Sequence, residues 1–327
     1  MKWFGLLWEQ IAPALPALTT SFFSVLVGAL PFMVIAAFAS AVLEVFVSKD
    51  AIVRLVPRGS VLGVLLAPLL GLVVPMCECG IIPVARRMIQ KGVPAGAAIT
   101  FMLSNPILNP LSLYSTYLAF PFAREMLLWR AGIAYVVSVI IGLLIYYGIR
   151  RGSDYSVLHA DHEVAVTAEG AACDCGHDHH EHQHAAQPLG EKLQAVLDHA
   201  AAEFFDVAKY FIIGAGLAAI SQALISREML EAVGQGPVIS VIVMIAFAFL
   251  LCICSEADAF VAAAFASTFT PGALLAFLVA GPMTDLKNTL MMYSAFQRRF
   301  VLFLNVTIIT LTAVLTIILN YTVSWGG

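Results

Sequence analysis

The chain has 327 residues, of which 61% are hydrophobic and only 12% charged, with a formal net charge of -4 and a mean hydropathy of +0.91. A water-soluble domain averages about 45–50% apolar and about 25% charged residues, so this composition excludes an ordinary soluble domain and marks an integral membrane protein. No basic face stands out, which argues against a nucleic-acid partner.

At the N-terminus, Lys2 precedes Trp3, Phe4, Leu6, Leu7 and Trp8. Pro13 and Pro16 break this run, so an interfacial amphipathic helix with tryptophans at headgroup depth is expected rather than a cleaved signal peptide. A helix that crosses a bilayer takes about 20 apolar residues. Candidate spans cover 18–47, 60–76, 94–120, 125–149, 204–225, 236–254, 271–296 and 300–321. Pro31 is expected to kink the first. Asn105-Pro106 and Gly281-Pro282 are expected to interrupt the third and seventh, because proline lacks an N–H and clashes one turn back. Two shorter segments lie between spans: 80–91, with Arg86, Arg87 and Lys91, and 256–268, nearly apolar apart from Glu256 and Asp258. Each reads as a half-helix able to dip into the membrane, where irregular backbone is tolerated only if protein or a watery cavity satisfies it.

From 150 to 190 the composition turns polar, with Arg150, Arg151, Asp154, seven of the eight histidines and one cysteine pair. It reads as a solvated linker without a core. The chain therefore divides into a membrane repeat over 1–149, a soluble His/Cys-rich linker over 150–190 and a second membrane repeat over 191–327. The expected fold is an all-α polytopic transporter of two internal repeats, with broken helices and about 8–10 transmembrane or re-entrant segments.

The repeat rests on matched motifs. The first half carries Pro75-Met-Cys-Glu-Cys-Gly, Val93-Pro-Ala-Gly and Ser104-Asn-Pro-Ile-Leu-Asn109; the second carries Cys252-Ile-Cys-Ser-Glu256, Thr270-Pro-Gly and Ala280-Gly-Pro-Met-Thr-Asp285. Pro94 lies 17 positions after Cys77, and Pro271 lies 17 after Cys254. Pro106 lies 10 after Gly96, and Pro282 lies 10 after Gly272. Interrupted apolar segments at matching places in two halves point to a transporter's binding site. The repeats are parallel if each half crosses four times and inverted if a short segment also crosses. Positive residues are spread over several loops (Lys49, Arg54 and Arg58; Arg86, Arg87 and Lys91; Arg150 and Arg151; Arg298 and Arg299), which blurs the charge bias that sets orientation. The linker is assigned to the cytosol and the chain to a bacterial inner membrane.

All six cysteines fall in Cys-x-Cys pairs: Cys77 and Cys79 around Glu78, Cys173 and Cys175, and Cys252 and Cys254. Thiolates select soft or borderline metals such as Cu(I) and Zn(II). An unwound Cys77-Glu78-Cys79 after a helix end offers two soft ligands and a carboxylate, and a charge at membrane depth usually marks a pathway. The competing reading, that cysteine is a small core residue, does not account for two thiols flanking a glutamate. Cys252, Cys254, Glu256 and Asp258 alternate, so extended backbone puts them on one face, whereas a helix spreads them. Capping by Ser255 and Glu256 is the bland alternative. Asn105, Asn109, Asp285, Lys287 and Asn288 follow the two breaks, as backbone satisfiers or pathway contacts. Asp285 and Lys287 are expected to pair with each other or with Glu256 and Asp258, as a static clamp or a charge switch. Met76, Met283, Met291 and Met292 offer thioethers, although methionine is more often a gap-filler. In the linker, Cys173 and Cys175 with His177, His179, His180, His182 and His184 put two thiols and five imidazoles within twelve residues. That is a strong metal signal without the spacing of a rigid zinc fold.

The run Pro75-Met-Cys-Glu-Cys-Gly-Ile-Ile-Pro83, with Gly92-Val-Pro-Ala-Gly96, Ser104-Asn-Pro-Ile-Leu-Asn-Pro110 and Gly281-Pro-Met-Thr-Asp285, resembles the bacterial predicted-permease family that includes organoarsenical efflux permeases. The resemblance covers both membrane halves. With the linker, it looks most like a subgroup regarded as copper/zinc efflux transporters. It implies that Cys77 and Cys79 contact substrate, with Cys252 and Cys254 as their second-half counterparts.

The leading expectation is a permease exporting Cu(I) and/or Zn(II), with the linker capturing metal. The alternatives are efflux of trivalent arsenic or organoarsenicals, for which thiols alone suffice, and a membrane-bound metal sensor or metallochaperone. An enzyme is not expected, because the chain has no Cys-x-x-Cys and its one His-Glu-x-x-His, His180 to His184, falls in the polar linker rather than on a membrane helix. No nucleotide-binding Gly-x-x-x-x-Gly-Lys-Ser/Thr occurs either, so an ion gradient or a partner drives transport. No prosthetic group is expected. The expected partners are the metal ion, as substrate and linker ligand, and the bilayer, with a homo-oligomer left open.

Overall fold

A computed structural model describes scattered residues between 16 and 42 and then residues 61–72, 78–121, 123–150, 157–158, 189–224 and 236–323. From residue 61 onward the described helices are α1 (Val61–Leu70), α2 (Glu78–Gln90), α3 (Ala95–Leu108), α4 (Pro110–Ala119), α5 (Arg124–Arg150), α6 (Leu189–Leu224), α7 (Ile239–Leu251), α8 (Asp258–Ala264), α9 (Pro271–Met283), α10 (Leu286–Ala295) and α11 (Arg298–Thr322). The described residues form no strand, only an isolated bridge between Leu158 and Phe296.

Local chemistry sets the ends of these helices. Gly92, at φ 94°, closes α2 in the left-handed conformation that glycine adopts without cost. The amide of Gly92 bonds the Ile89 carbonyl and that of Val93 reaches back to Met88, the paired bonds of a Schellman ending. Pro94 then starts α3. In the second half Thr270 caps α9, accepting the Ala273 amide, with Pro271 in the first turn.

The helix breaks lie two to three residues later than the prolines predict. Pro106 stays inside α3 and Pro282 inside α9. One proline removes one backbone bond, and the helices run on to Leu108 and Met283. The chain turns extended at Asn109, at φ −69° and ψ 149°, and at Thr284, at φ −153° and ψ 98°, and Asp285, at φ −119° and ψ 173°. For Asn109 the cause is the adjoining Pro110, which disfavours helical backbone in the residue before it. The spans expected over 94–120 and 271–296 are therefore each two helices. The span expected over 204–225 belongs to a longer helix that begins at Leu189.

α3 and α9 occupy the centre. Residues Gly96–Leu108 and Gly272–Met283 are buried, as expected of helices apolar on every side. α3 packs against α1 and α5; α9 packs against α7 and α11. The short helices cross over: α4 lies against α8, and α10 against α2. Two helices, over Arg124–Gly148 and Arg298–Thr322, are long and apolar enough to cross a membrane, while α1 and α7 are apolar but shorter. Outward residues such as Leu128, Val136 and Leu144 on α5 and Leu302, Val306 and Val314 on α11 are exposed, whereas Glu78, Arg130, Asp258, Asp285 and Lys287 are buried. Apolar outside and charged inside is the arrangement of a body whose surroundings are lipid.

Close backbone approach holds α3 to α5. A Cβ on Gly142 would overlap Thr100 Oγ1 and come within 2.9 Å of the Gly96 carbonyl oxygen. Thr100 cannot swing away without losing its 2.7 Å bond to that same carbonyl. Small residues of this kind let membrane helices touch. Gly142→Ala is expected to lose about 1–3 kcal/mol of stability by overpacking, read as a lower melting temperature of the purified protein. An unchanged melt shows that the α3–α5 contact is slack.

Candidate functional site

The two breaks, the start of α2 and the start of α10 meet in one buried place. Glu78, Pro106, Pro282 and Asn288 line a single small cavity there, large enough for about one water molecule. Glu78 opens α2 and is 2% exposed. Its Oε1 accepts a hydrogen bond from Lys287 Nζ at 3.2 Å. Lys287 Nζ also stands 3.7 Å from Asp285 Oδ2 and 5.8 Å from the ring centre of Phe211 on α6. A lysine of the second half thus neutralises a carboxylate of the first.

The residues after the breaks do matching work. Asn109 Oδ1 accepts the Ser112 amide at 2.7 Å, and Asp285 Oδ1 accepts the Asn288 amide; each caps the helix that begins there. Asn109 Nδ2 also donates to the Pro106 carbonyl at 3.0 Å, and Asn288 Nδ2 to the Pro282 carbonyl at 3.5 Å. Asn105 is buried in α3 one turn before Asn109, whose amide bonds its carbonyl. On α11, Asn305 bridges the second break, accepting from Thr284 and donating to Thr289, each at 2.8 Å.

The second cysteine pair sits between α7 and α8, in a segment that is neither strand nor helix. Cys252 ends α7 in the left-handed region, at φ 52° and ψ 41°, and Ser255 to Ala257 form a turn. The alternation of 252, 254, 256 and 258 therefore does not put four side chains on one face. Cys252 is buried, with its thiol 3.5 Å from the Phe249 carbonyl, and Cys254 is exposed; both are free thiols. No side-chain cap starts α8, so Ser255 and Glu256 do not play that part. Among the described residues, no three His, Cys, Asp or Glu side chains gather at metal-binding range.

Asp258 does not pair with Lys287. Its partner is Arg130, a fully buried arginine of α5 that motif and spacing did not single out. Arg130 Nη2 donates to both Asp258 oxygens, at 2.7 and 3.0 Å, and to the Ser255 carbonyl at 3.2 Å. Its Nη1 bonds Thr116 Oγ1 on α4, and Ser112 of α4 donates to the same Ser255 carbonyl at 3.0 Å. The signal that could have found it is an arginine inside the apolar span over 125–149, which in a membrane demands a partner.

Cys77 lies outside the described residues, as do Cys173, Cys175, His177, His179, His180, His182 and His184. Cys79 stands on α2 next to Glu78, its side chain outside what is described.

Known proteins share this sequence over most of its length. Residues 15–321 match the family model described as "Predicted permease". The chain is similar to UPF0718 protein YcgR of Bacillus subtilis (strain 168), 42% identical over 287 residues, 88% of this chain and 91% of that one. It is also similar to the "Putative two-component membrane permease complex subunit" of Streptococcus mutans serotype c (strain ATCC 700610 / UA159), 32% identical over 281 residues, 86% and 87% of the two chains. No solved structure matches.

Proposed function

The chain belongs to the predicted-permease family, and from that premise we propose that it exports a soft or borderline metal ion, Cu(I) and/or Zn(II), across a bacterial inner membrane. The observation that carries the proposal is Glu78. This carboxylate, flanked in sequence by Cys77 and Cys79, lines the buried cavity between Pro106 and Pro282, where broken helices in a transporter leave a site at membrane depth. The similar packing of α1, α3 and α5 and of α7, α9 and α11 supports two membrane repeats, 1–149 and 191–327. The cysteines and histidines of 150–190 supply a collector on the cytosolic side, in keeping with the preference of imidazole and thiolate for copper and zinc. The name of the Streptococcus mutans relative supports a second protein component for this chain as well.

The test is flux into proteoliposomes of the purified protein, with Cu(I), Zn(II) and arsenite compared side by side. Flux of a metal ion is expected, and the double substitution Cys77→Ser, Cys79→Ser is expected to reduce it by about tenfold or more. Equal flux in that variant removes the cysteine pair from the pathway. Arsenite flux alone selects the arsenical reading, and tight binding without flux selects a sensor or metallochaperone.

A further inference from the structure

The cavity at the breaks holds chemistry that the cysteine pairs do not use. Met102 of α3, Met283 at the end of α9 and Met292 of α10 line it together with Glu78 and Asn288, and all five residues are buried. Two oxygens there have no hydrogen-bond partner: Glu78 Oε2 and Asn288 Oδ1. The other end of each side chain is already engaged, Glu78 Oε1 by Lys287 and the Asn288 amide nitrogen by the Pro282 carbonyl. A buried polar atom without a partner costs about 1–3 kcal/mol, so two such atoms on one cavity ask for a common occupant. Both oxygens accept and neither donates, so the occupant is a donor or a cation.

Sulfur and charge narrow the choice. A thioether is a neutral, soft ligand that suits Cu(I) and gives little to a hard ion. Glu78 is the ionic side chain that lines the cavity, and Lys287 Nζ already stands 3.2 Å from one of its oxygens, with Asp285 beyond that lysine. With that ammonium beside the site, a monovalent cation meets less repulsion than a divalent one. A water would satisfy the two oxygens but would make no use of three sulfurs.

We propose that Met102, Met283 and Met292, with Glu78 Oε2 and Asn288 Oδ1, form a holding site for a soft monovalent cation of the Cu(I) type where the two halves meet. As a station on the transport path the site rests on the permease reading above; as a binding site it is tested by itself. The probe is Ag(I), a redox-stable stand-in for Cu(I), added to the full-length purified protein. The variant is the triple Met102→Leu, Met283→Leu, Met292→Leu, which keeps side-chain volume and removes the thioethers.

Equilibrium dialysis is expected to show one more Ag(I) bound per wild-type chain than per variant chain, with equal Zn(II) in both. Should the triple variant not fold, the single changes Met102→Leu and Met292→Leu are each expected to weaken the tightest Ag(I) site by roughly tenfold. Equal Ag(I) binding by wild type and variant overturns the proposal and leaves the cavity to water. Cu(I) flux through proteoliposomes separates the two readings. Flux with equal Ag(I) binding sinks the methionine site and spares the permease, and the extra Ag(I) without any metal flux does the reverse.

Discussion

Lys287→Met is expected to lower stability by about 3–5 kcal/mol and to abolish transport, because it leaves the Glu78 carboxylate buried without its counter-charge. The ammonium stands between Glu78 and Asp285, at 3.2 and 3.7 Å, and all three residues are at most 2% exposed. A loss of that size corresponds to a melting temperature lower by roughly 10 °C. Adding Glu78→Gln removes the nearer of the two orphaned charges while keeping the side chain's shape, and leaves Asp285. The double variant is therefore expected to regain part of the melting temperature without regaining flux. Thermal unfolding of the detergent-purified proteins checks the first part and proteoliposome flux the second. A Lys287→Met protein that melts like the wild type shows that the pair contributes nothing to holding the two halves together.

Arg130→Lys carries the second largest expected effect, although it preserves charge. The guanidinium reaches Thr116, the Ser255 carbonyl and both oxygens of Asp258 from one rigid plane. An ammonium on a flexible stem is a point charge and cannot span that set. Hydrogen bonds to charged groups contribute about 1.5–3 kcal/mol each, so losing part of the fork is expected to cost at least about 2 kcal/mol. The consequence reaches the second cysteine pair, since Ser255 and Asp258 bracket the turn just after Cys252 and Cys254. Released from Arg130, the turn is expected to expose Cys252, now 1% exposed. Peptide-resolved thiol labelling should then find Cys252 reacting much faster in the variant, with Cys254 labelled readily in both. Protection of Cys252 in a folded Arg130→Lys protein refutes this positioning role.

Composition and spacing carried the helical, membrane-embedded character of the chain. The positions of Asn109 and Asp285 were legible because a break, a capping side chain and a proline leave local marks at fixed offsets. The short helices Glu78–Gln90 and Asp258–Ala264 overlap the two short segments expected between the spans, 80–91 and 256–268, which stood out by their length and place. The exact residue of each break was not. A proline weakens one bond, whereas the turn to extended backbone is decided by the next residue along, as Pro110 decides it for Asn109. The ion pairing was legible only in part. Asp285 and Lys287 are two positions apart, so their neighbourhood could be read. Glu78 is 209 positions from Lys287 and Arg130 is 128 from Asp258, and no periodicity or motif encodes which distant charges will meet. Arg130 stood near the end of an apolar span, where a long basic side chain commonly reaches back to the headgroups. Only packing reveals that it turns inward.

The exchange of short helices between the halves, α4 against α8 and α10 against α2, bears on how such a chain can be recombined. Two buried pairings, Glu78 with Lys287 and Arg130 with Asp258, have one member in either half, so neither half owns a complete set of counter-ions. A chimera that takes its N-terminal half from one relative and its C-terminal half from another inherits Glu78 and Arg130 from one parent and Lys287 and Asp258 from the other. It keeps both buried pairs only when its two parents carry the same residues at these places, which makes these four positions a compatibility code between halves.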